Sequence, residues 1–151
     1  MKYINNNFGF SLIQVLLVIS IMLLLVSMAV PSLYQLQSST QIDTISAEIA
    51  QNLRRAEARA MVGYNNTDWG VYFTDNTYTI FSGDSYALRD ENKDEDFTIA
   101  SSIELVTDFA NEMVFTKPSG LPNTSGQIVL TNNVYEEAII DINSLGVIEY
   151  R

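Results

Sequence analysis

A chain of 151 residues has room for one domain and an added element, and 47% hydrophobic residues are enough to fill a core. The formal charge of −10, from 18 acidic against 8 basic side chains, repels phosphate backbones and disfavours nucleic acid as a partner. There is no cysteine and no histidine, which excludes disulfides, thiol nucleophiles, histidine bases and the common zinc ligand sets.

The first element is apolar. From Phe10 to Val30 the only polar residues are Ser11, Gln14, Ser20 and Ser27, and none is charged. At about 1.5 Å per residue this run makes roughly 32 Å of helix, against roughly 30 Å of bilayer hydrocarbon. Lys2 adds a positive charge on the side that stays cytoplasmic. A secretory signal cut near Ser27-Met28-Ala29 is one reading, but its apolar core normally spans only about 7–15 residues. A plain single-pass anchor is another.

Pro31 follows the run, removes a backbone donor and predicts a kink or break. Beyond it Leu33, Leu36, Ile42, Ile45, Ile49, Leu53, Ala56 and Ala60 recur at spacings of three and four. Gln41, Asp43, Glu48, Gln51, Arg54, Arg55 and Glu57 occupy the other face, and Gly63 supplies a stop. This stripe reads as core of a helix packed on a sheet.

After Gly63 the period falls toward two. Strands are predicted at 69–74, 78–82, 97–100, 103–106, 113–116, 127–131, 138–142 and 147–150. Turn signals separate them, among them Ser82-Gly83-Asp84, Pro118-Ser119-Gly120, Pro122-Asn123 and Asn143-Ser144-Leu145-Gly146. One helix followed by many short strands predicts an α+β fold: a long N-terminal helix packed on a mostly antiparallel β-sheet domain.

The segment Phe8-Gly9-Phe10-Ser11-Leu12-Ile13-Gln14-Val15-Leu16-Leu17-Val18-Ile19 resembles the processing signal of type IV pilins and pseudopilins. The resemblance implies a pilin-like fold and cleavage between Gly9 and Phe10 by a prepilin peptidase. It further implies N-methylation of Phe10 and retention of the apolar helix for assembly, with Ser11, Gln14 and Pro31 as its assembly positions. The family usually has Glu at the fifth mature residue, where this chain has Gln14; an amide accepts a hydrogen bond but compensates no charge. That departure fits a minor or tip subunit better than the abundant repeating one.

Three further stretches are similar to the GspH/FimT minor pseudopilins: Leu53-Arg54-Arg55-Ala56-Glu57-Ala58-Arg59-Ala60, Trp69-Gly70-Val71-Tyr72-Phe73, and Val114 to Gly120 leading into Ile128-Val129-Leu130. The Ile140 to Ile148 hairpin completes the likeness. Some FimT-like proteins bind DNA through basic residues of this domain. Here only Arg89, Lys93, Lys117 and Arg151 lie outside its helix, so DNA binding is not carried over.

The divisions expected are a leader at 1–9, a transmembrane and assembly helix at 10–30, an amphipathic helix at 31–63 and a β-rich domain at 64–151. The resemblance implies a single-pass inner-membrane protein whose domain lies outside the cytoplasm. Its partners would be other pilin or pseudopilin subunits, the prepilin peptidase and the membrane itself. An anchored binding domain that never polymerises is the rival reading; no catalytic constellation is evident.

Two other candidate sites stand out. Asp90, Asn92, Asp94 and Asp96 alternate as calcium ligands do, although Glu95 stands where such a loop turns on Gly and Ser101 where Glu closes it. A solvated acidic loop is the simpler reading, and no other cofactor is implied. Trp69, Tyr72, Phe73, Tyr78 and Phe81 could line a carbohydrate or aromatic groove, but alternation along strands assigns them to a sheet core.

Overall fold

The computed structural model describes residues 11–133 and 136–151, with side chains omitted at 28–39. Contacts divide the chain into two compact units, Met1–Gln37 and Ser38–Arg151. Helix α1 (Leu12–Met61) contributes to both and continues through Pro31, where the sequence predicts a break. The division falls several residues later, between Gln37 and Ser38.

In the second unit the stripe of three- and four-residue spacings becomes a buried face. Ile42, Ile49, Ala50, Leu53, Ala56 and Ala60 are all 3% exposed or less, and Ile45 packs beside them. Complete burial of one such Leu or Ile contributes about 1.5–3 kcal/mol. The helix ends at Met61, and Gly63 follows in a left-handed conformation (φ +63°).

Nine strands follow: β1 (Trp69–Phe73), β2 (Thr77–Ser82), β3 (Glu95–Thr98), β4 (Ile103–Thr107), β5 (Glu112–Thr116), β6 (Leu121–Pro122), β7 (Gly126–Asn132), β8 (Glu137–Ile142) and β9 (Ile148–Tyr150). They form two antiparallel sheets rather than one. The five-stranded sheet runs β3-β2-β1-β5-β6 and the four-stranded sheet β4-β7-β8-β9. Alternate residues of both sheets (Val71, Phe73, Ile80 and Met113 from one, Ile128, Leu130, Ile140 and Ile142 from the other) join the helix stripe in one core. The fold is α+β, a helix packed on antiparallel strands.

The five-stranded sheet is also covered on its other face. Phe81 is fully buried there, its ring across Gly70; a Cβ at Gly70 would meet that ring at 2.5 Å and the Met113 carbonyl oxygen at 2.8 Å. Only glycine permits the approach. Tyr86, from the loop after β2, meets Phe81 edge-on and stacks on Tyr72 at 3.9 Å.

One buried polar chain ties helix to sheet. Asn52 Nδ2 donates to the Tyr78 hydroxyl at 2.8 Å, and that hydroxyl donates to Glu48 Oε1 at 3.0 Å. Burial, the largest cause, pushes the Tyr78 hydroxyl pKa far above its ordinary value.

Candidate functional site

Two places carry the expected sites: the start of α1 and the loop before β3. Gly9 and Phe10, the expected processing positions, lie outside the described residues. Ser11 is exposed just ahead of the helix, and its carbonyl oxygen accepts from the backbone of Gln14 at 2.9 Å and of Val15 at 3.3 Å. From Leu12 to Val26 every large apolar side chain is exposed, Leu12 at 82% and Leu23 at 65%. Ser20 and Ser27 turn their hydroxyls back onto the helix, donating to the Leu16 and Leu24 carbonyl oxygens, each at 2.8 Å. Pro31 lies within α1, and its side chain is outside the described set.

Among the described residues no helix is long and apolar enough to cross a membrane. The part of the apolar run whose side chains are described stops at Ser27, short of the roughly 20 residues a span takes.

The acidic loop is arranged differently from a cation cage. Asp90 caps the short turn Glu91–Lys93, accepting from Asn92, and its other oxygen lies 3.1 Å from Lys93 Nζ. These bonds, that from Lys93 foremost, hold its carboxyl below the usual carboxylate range. Asp94 accepts from Arg89 Nε at 2.7 Å, while Asp96, already in β3, accepts from the Thr79 hydroxyl at 2.6 Å. Asn92 bonds back to Asp90. Asp90 and Asn92 thus bond to each other while Asp94 and Asp96 turn to other partners, and among the described residues no three acidic, histidine or cysteine side chains gather where they could hold a metal.

The arginines at the end of α1 are engaged within the domain. Arg55 and Arg59 both clasp Glu95, at 2.5 and 2.6 Å, and Arg59 lies 4.6 Å over the Trp69 ring. Arg54 donates to the Ile148 carbonyl oxygen at 2.6 Å. Beside this clasp an open cleft of about 350 Å³ is lined by Arg59, Tyr64, Trp69, Asn92, Lys93 and Glu95, among others. Of the candidate aromatic groove, Trp69, Phe73, Tyr78 and Phe81 are 2% exposed or less and belong to packing; Tyr72 alone is part-exposed, and Tyr86 covers it.

Sequence reasoning missed the clip made by Arg89, whose guanidinium sits 3.8 Å over the Tyr86 ring while gripping Asp94. Its signal was the loop's one aromatic and its one arginine, Tyr86 and Arg89, three residues apart.

No protein-family model matches the chain, and comparison with curated protein sequences finds no match. Among solved structures, the minor pseudopilin EpsH from the Type 2 Secretion System of Vibrio cholerae has a similar fold. The TM-score is 0.58 at 12% sequence identity, covering 74% of this chain and 96% of that one. At that identity the likeness is one of fold, and the fold here is pseudopilin-like.

Proposed function

We propose that this chain is a minor structural subunit of a type IV pilus-like filament or a secretion pseudopilus, most like the GspH/FimT subunits. A prepilin peptidase cuts it after Gly9, Phe10 is methylated, and the inner membrane holds it by residues 10–30 until it joins the filament. The observation that carries this reading is the exposed apolar face of α1 from Leu12 to Val26, on a chain whose folded domain is pseudopilin-like. Such a surface needs lipid or other helices around it, because its exposure to water is unfavourable by about 25 cal/mol per Å². The solved relative, a minor pseudopilin, supports placing this chain among pilin-like subunits.

The test is the mass of the mature protein recovered from membranes of a host with a prepilin peptidase, together with immunogold labelling of sheared filaments. The reading expects a start at methylated Phe10 and labelled filaments, both lost in Gly9→Leu. A start at Met1 with the domain still exported favours the anchored domain that never polymerises; a start at Val30 favours a secretory signal.

A further inference from the structure

Four strands form the outer edges of the two sheets: β3 and β6 in one, β4 and β9 in the other. An outer strand offers unpaired N–H and C=O groups to any extended chain that reaches it, unless something blunts it. β6 has two residues, one of them Pro122, and β9 has three. On β3, Glu95 and Asp96 are already bonded to Arg55, Arg59 and Thr79. β4 has five residues, no proline, and no strand on its outer side among the described residues.

The register shows which of its groups are free. Just past the end of β4, the Asp108 backbone donates to the Gln127 carbonyl oxygen. Pairing alternates along an antiparallel ladder, so Val106 and Glu104, opposite Val129 and Thr131, also turn their backbones to β7. Leu105 therefore points both its N–H and its C=O to the open rim, whereas Ile103 donates its N–H to Ala100. Side chains alternate across the sheet: Ile103 is buried, while Glu104 and Val106, the latter at 55%, are exposed on the outer face.

Beside β4 lies an open cleft of about 490 Å³, lined by residues 101–106, Asp75, Asn76 and Asn133. No residue of β7 lines it, so it follows the free rim of β4. Asp75 and Glu104 bring two carboxylates to it and no lysine or arginine does. Neither carboxylate is in an ion pair among the described residues.

We propose that β4 is a docking edge for an extended, basic segment of a partner protein. The segment adds as a further strand, with a lysine or arginine against Glu104 and, two residues away, an aliphatic side chain against Val106. Main-chain bonds to Leu105 hold it, and its alternate side chains carry the selectivity. The unpaired carboxylates favour a basic occupant over a second copy. Pairing β4 with β4 would gather Asp75 and Glu104 of both copies at one rim, in a chain of net charge −10. The edge lies within the second unit, so docking stands or falls apart from the processing of the first helix.

Full-length protein in detergent is titrated with the labelled peptide Thr-Thr-Lys-Thr-Val-Thr-Thr and with its counterpart carrying Glu for Lys. Anisotropy reads affinity, and amide hydrogen exchange reads protection at Leu105. The lysine peptide is expected to bind about fivefold more tightly than the glutamate peptide and to slow exchange at Leu105. Glu104→Lys, an exposed change that leaves melting unaltered, is expected to reverse that preference by a similar factor. Equal affinity for both peptides, binding of neither, a preference indifferent to Glu104→Lys, or unchanged exchange at Leu105 would overturn the docking edge. Protection at Leu105 present without peptide and lost on dilution would put a second copy there and overturn the basic partner.

Discussion

Leu23 and Leu53 belong to the same helix, yet one is 65% exposed and the other is fully buried. Around Leu53 the chain supplies its own partners: Ile49, Ala56 and strand residues from two sheets close over it. Around Leu23 the described residues supply none, and leucine follows leucine on every side of the helix. Residue type is therefore a poor guide to what a helical segment does. What separates the two is whether a polar face exists. From Gln41 to Glu57 charged and amide residues mark one side as solvent and, by elimination, the other as core. A helix apolar all round needs a surrounding that is not water.

The sharpest way to break this comparison is to truncate both leucines. Leu53→Ala should cost about 2–5 kcal/mol and lower the melting temperature of the full chain in detergent by many degrees. Leu23→Ala should leave that melting within about 0.5 kcal/mol, because no described contact of the domain depends on it. Equal losses would mean that the first unit shares the domain's core.

A smaller effect probes the polar tie in the second unit. Tyr78→Phe keeps the ring stacked on Phe97 but removes the acceptor of Asn52, which is 7% exposed. The unpaired amide should cost about 1–3 kcal/mol in chemical denaturation. Asn52→Leu in the same background should recover part of it; no loss in Tyr78→Phe would show that water takes the hydroxyl's place.

The smallest effect is electrostatic. Burial raises the Glu57 carboxyl above its ordinary 4.5, with Arg54 opposing. A carboxyl raised on folding contributes stability that is whole below pH 4.5 and lost as pH rises through the folded value. Glu57→Gln should therefore melt with the parent below that pH and slightly above it at pH 7, by roughly 0.5 kcal/mol or less for a half-buried group. A variant less stable at neutral pH would mean that the carboxylate has a favourable partner.

Much of the domain was legible because its elements are punctuated. Asn143 Oδ1 accepts from the backbone of Leu145 and Val147 and Gly146 takes φ +85°, so the predicted turn between β8 and β9 has a mechanism. Two sheets could not be told from one: alternation marks a strand's buried face, not the sheet it joins, and the crossing at residues 99–102 carries no special composition. Strand β6 escaped notice since it has only two residues, one of them Pro122. Part of the acidic alternation has a strand as its cause. β3 begins at Glu95 rather than Phe97, so at Asp96 the even spacing is the pleat of a strand.

Strand β3 has one more consequence. It is an outer strand of its sheet, and it carries Glu95 and Asp96 side by side. A foreign β-segment trying to zip onto that rim would have to strip water from Asp96 and contend with the arginine grip on Glu95. Crowded copies of this domain are thereby discouraged from pairing edge to edge through β3.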